Sequence, residues 1–280
     1  MRVVHTKSEV RDAVAAARAE GKTIGLVPTM GALHAGHMSL AEAAVAGSDF
    51  VVVSIFVNPT QFGPGEDLAK YPRTLDEDAA KCAAAGVGLV FAPSASEMYA
   101  DDAATTVHVA GLTEGLCGRY RPGHFDGVTT VVCKLFNIVV PDRAWFGEKD
   151  YQQLVVIRRM ARDLDLPVEV IGCPTVREAD GLALSSRNRY LSAAERAAAP
   201  ALQAALQEGA RAARARATGA EVERTVAEAL AREPLLRPQY IRAVHPQTLR
   251  RLLSDSGPMV IAAAAYLGET RLIDNIKVEG

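Results

Sequence analysis

The sequence contains few cysteines and no apolar run long enough to cross a membrane. Its four cysteines, Cys82, Cys117, Cys133 and Cys173, are scattered without any Cys-x-x-Cys spacing, which indicates reduced, mostly buried thiols. The longest apolar run near the C-terminus, Met259–Leu267, is far shorter than the roughly 18 residues that a membrane span needs. The N-terminal residues also lack the apolar region of a signal peptide. We therefore expect a soluble, cytoplasmic globular protein.

The sequence also has no large excess of charge of either sign. The formal net charge is −2 and the isoelectric point lies near 6.3, so no general attraction to nucleic acid or to a membrane surface is indicated. With 280 residues, the chain is long enough for one large or two medium domains and for a well-buried core.

Strand-like and helix-like segments alternate in the first part of the chain. Apolar, strand-like runs occupy residues 23–27, 49–57 and 87–91, and helical patterns occupy residues 38–46 and 74–85. The run at 49–57 is continuously apolar, which is typical of a strand that is buried on both faces. This order predicts an α/β fold with a Rossmann-like, doubly wound parallel sheet.

The pattern changes at about residue 175. Helices rich in Ala, Arg and Glu extend to about residue 232, and strand-like runs follow at 239–244, 259–264 and 270–276. Helices followed by consecutive strands predict a smaller C-terminal α+β domain. We therefore divide the chain into residues 1–175 and 176–280.

Two further helices are expected on local signals. Residues 8–20 carry an Ala-rich helical pattern that Ser8 is placed to cap and Gly21 to end. A short helix is expected near Leu112, within an otherwise irregular, Gly-rich stretch.

A turn between a buried strand and a helix carries two histidines. Residues 28–37 read Pro-Thr-Met-Gly-Ala-Leu-His-Ala-Gly-His. Free N–H groups at a helix N-terminus favour an anionic ligand, and His34 and His37 share one helix face. Gly36 allows a ligand to approach the backbone closely. This pattern favours a nucleotide phosphate site. A metal pair or no site are the alternatives, although zinc helices usually space their histidines at i and i+4 with a Glu.

Other polar groups suit the same chemistry less specifically. Lys149 follows a strand-like run at a helix start, where a cation can meet phosphate oxygens, although an exposed Lys is equally ordinary. Ser185-Ser186-Arg187 offers hydroxyls and a guanidinium for phosphate, or simply a capping loop. Gln61 and Gln153 are expected near strand ends, where amides suit a substrate's hydroxyl and carboxylate groups.

Together, four motifs resemble one family. They are Pro-Thr-Met-Gly-Ala-Leu-His-x-Gly-His (28–37), Phe-Val-Asn-Pro-x-Gln-Phe (56–62), Gly-Glu-Lys-Asp-x-Gln-Gln (147–153) and Ser-Ser-Arg-Asn (185–188). In this order and spacing they resemble the pantoate–β-alanine ligases, also called pantothenate synthetases. The His-x-Gly-His element alone would indicate only the wider nucleotidyltransferase and class I synthetase superfamily.

The resemblance implies a two-step, ATP-dependent ligation. The carboxylate of pantoate attacks the α-phosphorus of ATP, which gives pantoyl adenylate and pyrophosphate. The amine of β-alanine then displaces AMP. The resemblance also implies Mg²⁺ with ATP, a homodimer, and a C-terminal domain that closes over ATP.

The resemblance assigns roles to particular residues. His37 is the expected proton donor, with His34 beside it and Lys149 stabilising the transition state. The expected ATP site comprises Met30, Gly31, Ala32, Leu33, His34, Ala35, Gly36, His37, Gly147, Glu148, Lys149, Asp150, Val176, Leu184, Ser185, Ser186 and Arg187. Gln61, Gln153 and Asn58 are expected at pantoate, and Val128, Val131, Val132 and Phe146 at its methyl groups or in the core.

Some expectations stay open at this point. Glu77 and Asp78 are candidate magnesium ligands, but a solvated helix N-terminus is the favoured interpretation. Leu184 stands where the family pattern has Met, which is a mild apolar exchange. The rival functions are an adenylyltransferase with the same histidine motif, which releases only pyrophosphate, and a non-catalytic nucleotide-binding protein.

Overall fold

The structure is a computed structural model that describes residues 1–279, with residue 67 described by its backbone only. The strands are β1 (Arg2–Val4), β2 (Ile24–Thr29), β3 (Phe50–Ile55), β4 (Leu89–Phe91), β5 (Arg143–Gly147), β6 (Glu169–Cys173), β7 (Leu236–Val244), β8 (Met259–Leu267) and β9 (Thr270–Val278). The helices are α1 (Lys7–Ala19), α2 (Ala35–Gly47), α3 (Leu75–Ala84), α4 (Ala95–Met98), α5 (Leu116–Tyr120), α6 (His124–Val139), α7 (Tyr151–Asp163), α8 (Ala193–Ala198), α9 (Ala201–Arg214) and α10 (Gly219–Leu230).

The first six strands form one parallel sheet in the order β1-β4-β3-β2-β5-β6, which confirms the doubly wound fold. The chain runs outward from β2 through β3 and β4, and later continues on the other side through β5 and β6. The strand order therefore reverses between β2 and β5. In open α/β sheets, ligands bind at the carboxyl ends of the strands beside such a reversal.

Residues of β2 alternate between two cores. Ile24 and Leu26 pack on the side covered by α1, α6 and α7, whereas Val27 packs on the side of α2 and α3. Neighbouring β3 is buried on both faces, with Val52 fully inaccessible, as its continuous apolar run predicts. Burial on both faces holds the strand ends, and hence the turns after them, in fixed positions.

The chain's one tryptophan, Trp145, lies in β5 and is buried. Its ring packs where two glycines leave room. A Cβ atom on Gly25 would lie 2.9 Å from Cζ3 of Trp145, and one on Gly47 would lie 2.8 Å from Cζ2. Larger residues at these positions would force the ring out of its place beside β2 and α2.

The last three strands form a separate antiparallel sheet in the order β7-β8-β9. Helices α9 and α10 pack on it through Leu206 and Val226, and Ile261 of β8 lies in the same core. This arrangement confirms the smaller C-terminal α+β unit that the sequence pattern predicts.

Two helix starts differ from the prediction. Helix α1 is capped by Thr6, not Ser8, because the Thr6 hydroxyl and the Glu9 carboxylate form a reciprocal capping box. Helix α2 begins at Ala35 rather than residue 38, since Gly36 is tolerated in the first turn and His34 serves as the cap.

Two short elements also differ from the prediction. The prediction of a helix near Leu112 is wrong, because that stretch forms turns and helix α5 begins only at Leu116. The short edge strand β1 was not predicted, since three residues show no clear period.

Candidate functional site

A cavity of about 300 Å³ opens at the carboxyl ends of β2 and β5. Its walls include both turns that follow these strands, the apolar face of α6, and residues of β9. The sequence-predicted residues on its wall are Met30, His34, Gly36, His37, Asn58, Gln61, Gly147, Lys149, Asp150, Gln153, Val176, Leu184, Ser185, Ser186 and Arg187. Residues from four separate motifs therefore meet at one cavity.

Five of the predicted residues are not among those that line this cavity. Ala32 and Leu33 are buried behind the turn, while Gly31 has a φ of +84° that turns the chain there. Ala35 is exposed. The Glu148 carboxylate instead accepts a hydrogen bond from Lys277 Nζ at 2.6 Å.

Asp78 holds the histidine-containing turn from behind. Its two carboxylate oxygens accept hydrogen bonds from the amides of Ala32 and Leu33, each at 2.8 Å. Asp78 is fully buried, so the expectation that it lies in a solvated helix N-terminus is wrong. Neighbouring Glu77 is exposed. The acidic first turn of α3 gave no sign that one of its carboxylates faces inward.

The two histidine rings lie against each other, with centroids 4.0 Å apart. The Gly36 amide donates to Nδ1 of His34 at 3.1 Å, and the His34 amide donates to Nδ1 of His37 at 3.3 Å. Because Nδ1 accepts in both rings, each neutral ring carries its proton on Nε2. Both side chains line the cavity, where these Nε2–H groups are available as donors.

Both rings stay neutral at physiological pH. Burial, followed by the charges of Lys149 and Lys81, lowers the pKa of His34 to about 4. Burial, followed by His34 and Lys149, lowers the pKa of His37 to about 3. The site therefore offers two neutral donors beside a cation, which is an environment suited to a polyanion.

The cation is Lys149, in the short turn Glu148–Asp150 after β5. Its ammonium group makes no hydrogen bond or ion pair with any residue that the structure describes. Lys149 therefore remains available for a ligand.

Across the cavity, the Ser185 hydroxyl accepts a hydrogen bond from the amide of Arg187 at 3.3 Å.

Asn58 uses its side chain within the protein. Its Oδ1 accepts hydrogen bonds from the Tyr99 hydroxyl at 2.9 Å and the Thr60 hydroxyl at 3.0 Å. Its Nδ2 donates to the Gly127 carbonyl at 3.1 Å and to Oε1 of Gln61 at 3.2 Å. Asn58 thus orients Gln61 and is itself buried.

His124 and Arg121 hold Gln61 from its backbone side, and the sequence pattern did not single them out. His124 Nδ1 donates to the Gln61 carbonyl at 2.8 Å, so its Nε2 accepts from Arg121 Nη1 at 3.0 Å. Burial, then the Arg121 charge, lowers the pKa of His124 to about 4. Arg121 also pairs with Glu66 through two hydrogen bonds of 2.7 and 2.6 Å.

The apolar wall of the cavity comes mainly from α6. Val128, Val131 and Val132 of this helix line it together with Phe146 of β5, and all four are buried. A small branched aliphatic group would fit against such a surface. Gln153, from the first turn of α7, brings an amide to the same cavity.

The comparisons with known proteins agree on one family. A sequence model described as pantoate-beta-alanine ligase matches residues 2–277. Pantothenate synthetases from Pseudomonas paraeruginosa and Moorella thermoacetica are 55% and 54% identical to this chain over 280 residues, and these matches cover 99% and 100% of this chain and 99% of each relative.

Solved structures give the same result. The pantothenate synthetase of Thermus thermophilus is 51% identical, with a TM-score of 0.94 over 100% of both chains. The pantoate-beta-alanine ligase of Francisella tularensis, complexed with beta-gamma ATP and beta-alanine, is 33% identical with a TM-score of 0.81, over 99% of this chain and 97% of that one. The protein described here belongs to the pantoate–β-alanine ligase family.

Proposed function

We propose that this cavity joins pantoate to β-alanine in two steps at the expense of ATP. In the first step, a pantoate carboxylate oxygen bonds to the α-phosphorus of ATP and pyrophosphate leaves. In the second, the β-alanine nitrogen bonds to the acyl carbon of pantoyl adenylate, AMP leaves with the bonding electrons, and the nitrogen loses a proton. The observation that carries this proposal is the pair of neutral Nε2–H donors beside Lys149, whose ammonium group has no partner among the described residues.

His34 and His37 are proposed to bind the phosphates as hydrogen-bond donors. With a pKa of about 3, His37 is not an acid in the free enzyme at neutral pH. In the free protein its neutral ring offers an Nε2–H group, and we propose that this group donates to the charge that builds up on the phosphate oxygens. Lys149 supplies the positive charge for the departing pyrophosphate, and the Ser185–Arg187 segment closes the other side.

Other predicted ATP-site residues are proposed to shape the site or to pack against the nucleotide. Gly147 and Gly36 leave the backbone open to the nucleotide, while Gly31 to Leu33 and Ala35 shape the turn. Val176 and Leu184 are proposed to pack against the nucleoside.

Pantoate is proposed to lie between the amides of Gln61 and Gln153 and the apolar wall. The amide groups match its hydroxyl and carboxylate oxygens, and Val131 and Phe146 can pack against its methyl groups. Asn58, expected at pantoate, is better placed to orient Gln61, since its own polar atoms already have protein partners.

Magnesium is proposed to arrive with ATP. No group of three potential metal ligands occurs among the described residues, and both Asp78 oxygens are bound by backbone amides. Asp150 is a carboxylate on the cavity wall. These residues fit a metal that phosphate oxygens and water hold, and that would neutralise phosphate charge when bound.

The wider organisation is also a proposal. Two domains, residues 1–175 and 176–280, are supported by the end of the first sheet at Cys173 and by a separate core that begins at Leu182. Closure of the second domain over ATP is supported by β9 residues on the cavity wall. A homodimer rests on the family resemblance. A cytoplasmic location is supported by the four unpaired cysteines, and in the described residues no helix is long and apolar enough to span a membrane.

The decisive experiment follows AMP and pyrophosphate from ATP, Mg²⁺ and pantoate, with and without β-alanine. A ligase sustains AMP release only when both substrates are present. Pyrophosphate release with another acceptor and no dependence on β-alanine would identify an adenylyltransferase. ATP binding by folded protein without any turnover would identify a non-catalytic binding protein.

A further inference from the structure

Strand β9 of the second sheet reaches the turn that carries Lys149. The Asn275 side-chain amide donates one hydrogen bond to the Glu148 carbonyl and another to the Lys149 carbonyl, each 2.9 Å long. Both protons of this NH₂ group are therefore used on two consecutive carbonyls. Asn275 is buried and lies on the cavity wall.

The adjacent residue of β9 holds a second segment of the site. Asp274 forms a two-point ion pair with Arg177, with hydrogen bonds of 2.6 and 2.9 Å. Arg177 also donates to the Gly181 carbonyl at 3.0 Å, and its backbone forms a β-bridge with Ala183. This segment carries Val176 and Leu184 on the cavity wall. Consecutive residues of one strand thus fix both segments.

Lys149 depends on such a contact more than the histidines do. Its ammonium group has no hydrogen-bond or ion-pair partner in the described residues, so the position of the backbone at its base strongly determines where the side chain reaches. A long, flexible lysine side chain aims at a phosphate only if its Cα is held in place. The carbonyl of Lys149 accepts a hydrogen bond directly from the Asn275 side chain.

We propose that Asn275 is a positioning residue that holds Lys149 in place and makes the phosphate site depend on docking of the second sheet. It touches no reacting atom itself. It acts through Lys149, and the inference rests on the phosphate-binding role proposed above for that residue.

The test is a double-mutant cycle with Asn275→Ala and Lys149→Ala. The measurement is single-turnover pantoyl adenylate formation, with enzyme in excess over labelled ATP so that slow variants can be read. Asn275→Ala is expected to slow this step by about 10²-fold, the loss that a misplacement of about 1 Å can cause. In the Lys149→Ala background, the same change is expected to cost less than about threefold, because its target is already gone.

Two variants serve as controls. Asn137 is exposed and does not line the cavity, and its side chain donates to the Cys133 carbonyl at 2.8 Å, so Asn137→Ala removes a side-chain hydrogen bond to a carbonyl outside the site and should leave the rate unchanged. Asn275→Asp keeps the shape but places a carboxylate oxygen against the two carbonyls, and should be as slow as Asn275→Ala. Thermal unfolding of each variant checks that it is folded.

The outcomes separate the two proposals. Equal losses from Asn275→Ala in both backgrounds, or none in wild-type protein, would overturn the positioning role of Asn275. A loss of less than tenfold from Lys149→Ala alone would instead overturn the role proposed for Lys149. Strong coupling between the two changes supports both.

Discussion

The two turns that flank the cavity are held in different ways. In the turn after β2, His34 and His37 accept hydrogen bonds from amides within the turn itself, and Asp78 of the same sheet's helical layer binds its back. The turn after β5 is held by Asn275, from a different sheet and 126 residues beyond Lys149. The first turn should therefore keep its geometry when the second sheet is disturbed, whereas the second turn should lose it.

The largest expected effect comes from the first turn itself. His37→Ala removes one Nε2–H donor from the cavity and should slow adenylate formation by about 10²–10³-fold, as loss of a transition-state donor does. The measurement is pyrophosphate release from ATP and pantoate. A folded His37→Ala protein with near-normal release would rule out this role.

The support behind the first turn should matter next. Asp78→Asn keeps the size of the side chain but replaces one acceptor with an NH₂ group that faces a buried backbone N–H. The free energy of unfolding should fall by about 1–3 kcal/mol, and adenylate formation should slow as the turn loosens. Urea unfolding measures the first effect.

Glu77→Gln is the matched control for Asp78→Asn, since Glu77 precedes Asp78 on α3 but is exposed. It should change the free energy of unfolding by no more than about 0.5 kcal/mol. Equal effects of the two variants would contradict the role of Asp78.

Acid should lower the free energy of unfolding through three buried histidines in and near the first turn. The pKa values of His34 and His124 are lowered to about 4 and that of His37 to about 3, all by burial first. The unfolded chain takes up these protons below about pH 6.5, but the folded chain does not until much lower pH. The free energy of unfolding should therefore fall as the pH decreases from about 6.5 to about 4.

Melting temperatures between pH 7 and pH 4 measure this dependence. His37→Asn should show a shallower decline than the wild-type protein, because it removes one of the three groups. An unchanged decline in that variant would show that His37 is not buried as a neutral ring.

The smallest effect is expected at the ion pair that lies beside the Asn275 contact. Lys277 pairs with Glu148 beside Asn275, but its side chain is 44% exposed. Lys277→Ala should lower the free energy of unfolding by less than about 1 kcal/mol, since exposed ion pairs contribute little. Adenylate formation slowed as much as in Asn275→Ala would show that the whole interface, not the Asn275 amide, holds Lys149.

Much of the fold was predictable because its signals are local. The continuous apolar run of β3 and the order of strands and helices indicated the parallel sheet, and the glycine-containing turn with His34 and His37 was expected at a helix start, where α2 begins. Those features depend on residues that are close together in the chain.

The contacts that orient the site were not predictable in the same way. Asp78 looks like any acidic residue in a first helical turn, and only the folded chain shows its oxygens on the amides of Ala32 and Leu33. Asn275 lies in an ordinary strand pattern, and its partners are fixed by how two sheets dock. Hydrogen bonds between distant segments leave no periodic signal.

Trp145 gives the protein a built-in optical reporter. Its indole is buried against Gly25 and Gly47. Trp145 lies two residues before Gly147, after which the second turn begins, and no other tryptophan occurs in the chain. Its fluorescence emission therefore comes from the parallel sheet alone, and the second sheet contributes none. A shift of that emission to longer wavelength would time the opening of the part of the molecule that contains the parallel sheet, independently of what the C-terminal sheet does.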